Sequence, residues 1–199
     1  MSRTIFKEAI NALQNSKIIV YPTDTLYGLG ADIFDEYAVQ RVFEIKKRPF
    51  DKPLSVAVSC FEDVENIADV DDKVLHVVES FLPGSLTLVL KKKNVVSDLV
   101  TGGLDKVAVR IPDNEIALKL VSIFGPITCT SANVHGQETP FSIEDVQKQF
   151  DEGDIALYLD CGILDGKPST IVDMTDDEPK ILREGDISEK EILDAIKNG

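Results

Sequence analysis

The chain has 199 residues, of which 43% are apolar and 28% are charged, and its formal net charge at pH 7 is -14. A chain of this length can bury the core of one domain, and its strong negative charge disfavours a general RNA-binding module. No apolar run approaches the length needed to span a membrane. Any anion-binding site must therefore be a local cluster of cations.

The N-terminal segment and the cysteines exclude further classes of protein. The first residues are amphipathic and include Glu8, which is typical of neither a secretory signal nor a transit peptide, so we expect a cytoplasmic protein without membrane association. Cys60, Cys129 and Cys161 are far apart and form no C-x-x-C motif. We therefore predict buried structural thiols, and no metal site built from protein side chains.

The first predicted elements are a helix over residues 4–14 and a buried strand over residues 17–21. Residues 22–30 follow with hydroxyl groups, an acid and two glycines. Such a turn at the carboxyl end of a strand is typical of a ligand site. An Asx or Ser/Thr turn followed by tight packing explains the same residues, because G-x-G without a third glycine is a weak nucleotide signal.

A helix predicted over residues 36–46 leads into the cationic stretch Lys46-Lys47-Arg48-Pro49-Phe50-Asp51-Lys52-Pro53. Its prolines exclude an ordinary helix interior, so the stretch is interpreted as a helix end that opens into a rigid loop. Cations on a loop of an acidic protein indicate a specific anion, most often phosphate. A basic helix end that satisfies its own last carbonyls is the alternative.

The middle of the chain alternates strands and helices. We predict strands over residues 54–58, 86–90, 107–112 and 126–130, and helices over residues 61–67, 70–81 and 113–124. Arg110 lies among apolar strand residues, so it either pairs with an anion on one face of the sheet or lies at a wet edge. Ser131 and Asn133 follow a strand and either share one ligand or cap the next turn.

The last third completes the fold prediction. It contains a helix over residues 142–150, strands over residues 155–160, 170–174 and 180–183, and a closing helix over residues 188–197. Alternating strands and helices indicate an α/β fold. Because several late connections lack a helix, we expect one domain over residues 1–199 with a twisted, mixed parallel and antiparallel sheet flanked by helices.

Eight motifs occur in order along the chain. They are Y-P-T-D-T-L-Y-G-L-G at 21–30, K-x-R-P at 46–49, D-K-P-L at 51–54, L-P-G-S-L-T-L-V-L at 82–90, V-A-V-R-I-P at 107–112, T-S-A-N at 130–133, S-T-I-V-D at 169–173 and L-R-E-G at 182–185. The set closely resembles the YrdC/TsaC family, the L-threonylcarbamoyladenylate synthases. The resemblance runs from about residue 5 to the C-terminus and implies a YrdC-like catalytic domain with a large concave, cationic cavity.

The resemblance also implies an activity. Members of this family are nucleotidyltransferases that convert L-threonine, bicarbonate or CO2, and ATP into threonylcarbamoyl-AMP and pyrophosphate. Mg2+ would be carried by the phosphates. The product would pass to a tRNA threonylcarbamoyl-transferase complex that modifies the adenosine beside the anticodon, with tRNA met only indirectly or weakly. The chain resembles the short form of the family, without the additional domain of longer relatives.

The matching motifs transfer specific roles to this sequence. Those implied in catalysis are Lys46, Arg48, Ser131 and Asn133, the first two as ligands of the ATP phosphates. Those implied in ATP binding are Arg48, Lys52, Ser131, Thr139 and Arg183. Those implied in threonine binding are Thr25, Arg110 and Ser169, with the planar fork of Arg110 on the threonine carboxylate.

Two other functions remain open at this point. A nucleotide- or RNA-binding module of the same fold would use the cavity without catalysis, although the net charge disfavours general RNA binding. A carbamoyl-transfer domain of the hydrogenase-maturation type shares the fold, but those domains sit in longer chains with zinc-finger-like cysteines. Turnover of ATP to pyrophosphate that depends on threonine would distinguish a synthase from both.

Overall fold

The computed structural model describes residues 3–198, so residues 1, 2 and 199 of the predicted domain lie outside the described residues. The helices and strands, in chain order, are α1 (Arg3–Gln14), β1 (Ile19–Pro22), β2 (Tyr27–Gly30), α2 (Glu36–Lys46), β3 (Ser55–Ala57), α3 (Phe61–Ile67), α4 (Asp72–Phe81), β4 (Leu86–Lys91), α5 (Asp98–Thr101), β5 (Lys106–Arg110), α6 (Glu115–Phe124), β6 (Ile127–Thr128), β7 (Thr130–Ser131), α7 (Ile143–Gln147), β8 (Leu157–Tyr158), β9 (Thr170–Asp173), β10 (Lys180–Arg183) and α8 (Glu189–Asn198).

The strands form two mixed sheets. The smaller sheet has the order β7-β2-β1-β8, and the larger one has the order β10-β9-β4-β5-β3-β6. In the larger sheet, β4 pairs antiparallel with β5 and parallel with β9, and β5 pairs parallel with β3. The predicted α/β fold with parallel and antiparallel pairing is therefore confirmed, and the structure adds that the strands divide between two sheets.

Strand β2 was not predicted, because its two glycines indicated a turn. Gly28 lies opposite Tyr21 in the antiparallel register of β1 and β2. The Tyr21 ring covers this stretch so closely that a Cβ added at Gly28 or Gly30 would meet it at 3.3 or 3.1 Å. The aromatic ring thus supplies the packing that glycine cannot, which makes a glycine-containing strand stable here. The short helix α5 was also missed.

Two apolar clusters form the core on either side of the strands. The smaller cluster joins Phe6 and Leu13 of α1 to Leu120 of α6 and to Ile19 of β1. The larger cluster includes buried residues of α2, α4 and the six-stranded sheet, and α4 also packs against α8. Helices therefore cover the outer faces, and polar residues can be held where the two sheets approach each other.

Helix α2 has the bounds that its sequence predicts and delivers the cationic stretch. Asp35 caps its N-terminus by accepting hydrogen bonds from the backbone N–H groups of Tyr37 and Ala38. At the other end Lys47 adopts the left-handed conformation, with φ 50°, and its N–H group bonds to the Glu44 carbonyl. The Lys47 side chain is exposed. The helix therefore ends at Lys46, and Lys47 turns the chain sharply before Arg48.

The prediction of three buried thiols was wrong for two of the cysteines. Cys60 and Cys161 are exposed, whereas Cys129 is partly buried and burial raises the pKa of its thiol. Cys60 and Cys161 lie at a helix start and in a loop, where apolar neighbours in the sequence do not report burial. Within residues 3–198 there is no helix long and apolar enough to cross a membrane.

Replacing the cap of α2 gives a first prediction. Asp35→Ala is expected to lower the free energy of unfolding by about 1 kcal/mol at pH 7, because two backbone N–H groups lose their acceptor. Hydrogen bonds, first from Ser16 and then from the backbone, lower the pKa of Asp35. Since the folded pKa is depressed, the stabilisation is present above the unfolded pKa and is lost as the pH falls through the folded value.

Chemical denaturation of the variant and the native protein measures this difference. Cys60 occupies the equivalent cap of α3 without any side-chain cap bond. Cys60→Ala is therefore the matched control and should change stability by less than about 0.5 kcal/mol. Equal losses for the two variants would contradict the assignment of Asp35 as a stabilising cap.

Candidate functional site

A cavity of about 360 Å³ is walled by residues from both sheets and from the loops between them. Strands β2 and β7 supply one wall, and alternate residues of β4 and β5 together with Ile171 of β9 supply another. Seven of the residues implicated by sequence line it, namely Thr25, Arg48, Arg110, Ser131, Thr139, Ser169 and Arg183. The structure therefore brings together residues that are up to 158 positions apart, from Thr25 to Arg183.

Three arginines and no carboxylate residue are found among the described residues that line the cavity. Arg48 donates to the backbone carbonyls of Lys52 and Pro53, at 3.2 and 2.9 Å. Arg183 donates to the Ser169 carbonyl, at 3.0 and 2.8 Å. Carbonyls orient these guanidinium groups without cancelling their charge, so both present a positive field to the cavity.

Burial lowers the pKa values of Arg48 and Arg183, and the nearby charge of Arg110 adds to the effect on Arg183. Arginine nevertheless stays charged in proteins, because its ordinary pKa lies far above neutrality. Holding such cations close together is costly unless an anion joins them. The arrangement is that of a site for a polyanion, in a protein whose net charge is -14.

Arg110 is different, because it is paired with a carboxylate behind the wall of the cavity. Its Nη2 atom contacts both carboxylate oxygens of Asp24 at 2.7 Å, and its Nη1 atom donates to Thr25 Oγ1 at 2.9 Å. Its Nε atom donates to the Gly84 carbonyl at 3.1 Å. Arg110 is only 5% exposed. Of the two alternatives open from sequence, the paired arginine on a sheet face is the one observed.

Lys46 lies beneath the cavity and does not line it. The side chain is 1% exposed, and its Nζ atom donates to the carbonyls of Ser131 and Asn133 at 2.5 and 2.6 Å. The Lys46 carbonyl also accepts a hydrogen bond from the N–H group of His135. Helix α2 is thereby tied to the loop after β7. Two carbonyls engage its ammonium group, so the expected direct contact between Lys46 and phosphate stays a prediction.

The spacing of Ser131 and Asn133 left two roles open, contact with a ligand or capping of the next turn, and the two residues differ in this respect. Ser131 lines the cavity, and its hydroxyl donates to Asn133 Oδ1 at 2.5 Å. The Asn133 amide donates to the carbonyls of Val134 and Gln137 and so stabilises the following turn. Lys52 is exposed and does not line the cavity; its backbone carbonyl accepts from Arg48 and its backbone N–H group donates to the Pro49 carbonyl.

No role was predicted from sequence for Thr87, which lines the cavity, or for Asp24, which supports its wall. Thr87 is 2% exposed, and its hydroxyl bonds to that of Ser169 at 2.8 Å. A polar residue inside the apolar run of β4 was the available signal, since alternate strand residues share a face. Asp24 lies within the Thr-Asp-Thr turn, but its partner Arg110 is 86 residues away. No local pattern indicates that pairing.

The described part of the chain contains no group of three or more His, Cys, Asp or Glu side chains that could hold a metal ion. The chemistry that the side chains do offer is hydrogen bonding from hydroxyls and charge stabilisation by guanidinium groups. No Ser/His/Asp or Cys/His arrangement suited to covalent catalysis lines the described cavity.

The fold and the cavity define an α/β protein with an arginine-lined cavity walled by two mixed sheets. A family model named Sua5/YciO/YrdC, described as telomere recombination, matches residues 11–185. The chain belongs to this family, and the resemblance seen in its sequence motifs is confirmed.

Three relatives illustrate the similarity. A threonylcarbamoyl-AMP synthase of Pyrococcus abyssi is 42% identical over 191 residues, which cover 94% of this chain and 56% of the relative. The solved structure of P. abyssi Sua5 complexed with L-threonine has a TM-score of 0.92 and 41% identity, covering 96% and 57% of the two chains. E. coli YciO has a TM-score of 0.88 and 29% identity, covering 96% and 94%. The chain thus spans little more than half of the Pyrococcus relative.

The buried Lys46 ammonium predicts a pH dependence of stability. Burial, with a contribution from the charge of Arg48, lowers the pKa of Lys46 to about 7. Between about pH 7 and pH 10 the unfolded chain therefore binds the additional proton, so the free energy of unfolding rises with pH by up to about 1.4 kcal/mol per unit.

Denaturation curves across that pH range measure the slope in the native protein and in Lys46→Met. The variant lacks the titrating group, so its free energy of unfolding should rise less steeply than that of the native protein. Other groups that titrate in this range act on both proteins and cancel in the comparison. Parallel slopes would show that Lys46 does not lose its proton more readily in the folded state.

Proposed function

We propose that this chain is a threonylcarbamoyl-AMP synthase. It would condense L-threonine, bicarbonate or CO2, and ATP into threonylcarbamoyl-AMP with release of pyrophosphate. The observation that carries the proposal is the cavity with two arginines, Arg48 and Arg183, that no carboxylate neutralises among the described residues. The names of the relatives support the same activity.

The triphosphate is proposed to lie against Arg48 and Arg183. Both guanidinium groups are held by backbone carbonyls, so their positions are fixed before a ligand arrives. A preorganised positive field costs no reorganisation when charge shifts between oxygens during phosphoryl transfer. Ser131 and Thr139 line the same cavity and offer hydroxyls for the nucleotide. Lys46 and Asn133 act through the loop that carries Ser131, whereas Lys52 has no contact that supports a role.

Threonine is proposed to lie at the Arg110 end of the cavity. Thr25 lies against Arg110 there, and Ser169 is held between Thr87 and Arg183, with its hydroxyl 3.3 Å from Arg183 Nη2. Ser169 therefore belongs to both proposed subsites, which makes them neighbours. Adjacent subsites are what a reaction between an amino acid and a nucleotide requires, because proximity replaces a bimolecular encounter.

The chemistry then needs positioning and charge stabilisation. The threonine amine adds to CO2, loses a proton and becomes a carbamate. A carbamate oxygen attacks the α-phosphorus of ATP, the bond from that phosphorus to the bridging oxygen breaks, and pyrophosphate leaves with the bonding electrons. Both reactants are anions, so the arginines offset their repulsion. Mg2+ would be held by the phosphates, because the described residues form no metal site of their own.

The product of the reaction is a mixed anhydride and needs an acceptor. We propose that the chain acts as a single catalytic domain whose product passes to a tRNA threonylcarbamoyl-transferase complex. That complex would modify the adenosine next to the anticodon. The net charge of -14 makes strong tRNA binding by this chain unfavourable, so tRNA would be met indirectly.

Pyrophosphate release measured with ATP, bicarbonate and L-threonine tests this function. Release is expected to require threonine, and product analysis is expected to show threonylcarbamoyl-AMP. L-serine, which lacks the methyl group, and L-valine, which lacks the hydroxyl, are matched controls. ATP binding without any turnover would contradict the proposal and support a binding module, and turnover with carbamoyl phosphate in place of threonine and bicarbonate would support a carbamoyl-transfer domain.

Variants of two cavity arginines separate the two subsites. Arg110→Met is expected to raise the threonine concentration needed for half-maximal rate at least about tenfold, with a much smaller effect for ATP, since a charge-assisted hydrogen bond is lost. Arg48→Met is expected to have the reverse effect. Steady-state kinetics measure both, and circular dichroism spectra confirm folding. Equal effects on both substrates in both variants would contradict the assignment.

A further inference from the structure

Asp24 is the carboxylate that distinguishes Arg110 from the other two cavity arginines. It lies between two residues that line the cavity, Thr23 and Thr25, but it does not line the cavity itself. Its carboxylate contacts Arg110 through both oxygens at 2.7 Å. The side chains of the pair are only 6% and 14% exposed, so solvent screens their attraction weakly.

The Asp24 carboxylate is also saturated with hydrogen bonds. Besides Arg110 Nη2, its Oδ1 atom accepts from the N–H group of Asp113 at 3.1 Å, and its Oδ2 atom accepts from Ser85 Oγ at 3.0 Å. Each oxygen therefore has two donors, which is about its full capacity. Asp24 has no acceptor position left for a ligand, so its influence on the cavity must be exerted through Arg110.

The turn that carries Asp24 is held in place. Thr23 Oγ1 donates to the Leu26 carbonyl at 2.7 Å and accepts from the N–H groups of Thr25 and Leu26. The turn fixes the backbone of Asp24, and its carboxylate cannot rotate away from Arg110 without breaking its bonds to Ser85 and Asp113. Its negative charge is thus a fixed feature of the Arg110 end of the cavity.

We propose that Asp24 is a positioning residue whose charge determines which anion Arg110 accepts: by neutralising Arg110, it makes that end of the cavity take a single carboxylate and reject phosphate. Phosphate groups are then left to Arg48 and Arg183. This inference rests on the proposed function, in which a threonine carboxylate and a triphosphate must occupy neighbouring subsites in the correct order.

The physical basis lies in how two energies scale with charge. The attraction of an anion to Arg110 grows in proportion to the anion's charge, and Asp24 cancels a large part of it. The cost of removing an anion from water grows with the square of its charge. Weakening the attraction therefore penalises a phosphate dianion more than a carboxylate. A carboxylate can still accept a charge-assisted hydrogen bond from the Nη1 hydrogen of Arg110 that Thr25 does not use.

Calorimetric titration with inorganic phosphate and with L-threonine tests the proposal. Asp24→Asn keeps the shape and one acceptor oxygen but removes the charge. We expect this variant to bind inorganic phosphate at least tenfold more tightly than the native protein, in competition with threonine. In the native protein, phosphate should leave the threonine affinity unchanged. A merely structural role would weaken both ligands, so unchanged or weaker phosphate binding in Asp24→Asn would overturn the proposal.

Asp173→Asn is the matched control. Asp173 forms an ion pair of 2.6 Å with Lys106, which lies on β5 as Arg110 does, and neither residue lines the cavity. The substitution changes the net charge by the same amount. It should leave phosphate binding within twofold of the native value. A gain equal to that of Asp24→Asn would show that the effect is one of overall charge and would overturn the proposal.

A second variant decides the matter if Asp24→Asn does not fold. The double variant Asp24→Asn/Arg110→Met removes the pair as a neutral unit, a change that buried ion pairs often tolerate. Phosphate affinity should stay within twofold of the native value, whereas threonine binding should be lost. A tenfold loss of phosphate affinity would show that Arg110 attracts phosphate despite Asp24, and the proposal would fail.

The two proposals fail in different ways. Failure of the native protein to bind threonine, or to release pyrophosphate, contradicts the synthase function. The phosphate measurements need neither activity nor threonine, so they decide the role of Asp24 independently. A native protein that binds threonine and an Asp24→Asn variant without a gain in phosphate affinity would leave the synthase proposal intact and refute the charge role of Asp24.

Discussion

The construction of the cavity depends on one buried ammonium group. Lys46 carries an amino group, whose pKa burial lowers to about 7, at the end of α2 into a place with almost no water, and the carbonyls of Ser131 and Asn133 accept its hydrogen bonds. Breaking these bonds would leave two backbone acceptors without a donor and a buried polar group without a partner. The interaction therefore fixes the loop that presents Ser131, and it joins the helix of the larger apolar cluster to the smaller sheet.

The distribution of charge follows from this construction. Backbone carbonyls, which cannot neutralise a cation, hold Lys46, Arg48 and Arg183 in place. Among the described arginines that line the cavity, Arg110 alone is paired with a carboxylate, that of Asp24 behind the wall. A strongly acidic protein thus keeps a positive cavity, and the Arg110 end of this cavity is neutral. A gradient of this kind orients a ligand that has a highly charged part and a weakly charged part.

Sequence patterns predicted the α/β class, most elements and seven residues that line the cavity, because each of these depends on local periodicity or on motif order. Sequence patterns could not predict contacts between residues that are far apart in the chain. No pattern in the Thr-Asp-Thr turn reveals that Asp24 meets Arg110, and nothing near Lys46 reveals that its ammonium group turns inward. Strand β2 was not predicted for a similar reason: its glycines are stabilised by the ring of Tyr21 on the neighbouring strand, a contact that the local sequence does not show.

The parallel pairing of β4 with β9 has a consequence for how the protein acquires its binding site. Leu86 pairs with Thr170, and this pairing helps to bring Ser169 and Arg183 to the rest of the cavity. Contacts so distant in sequence form slowly during folding. A partly folded chain, even one with its helices in place, thus lacks the cavity. A ligand binds only the finished fold and stabilises it by mass action, so ligand occupancy protects the whole domain against unfolding and proteolysis.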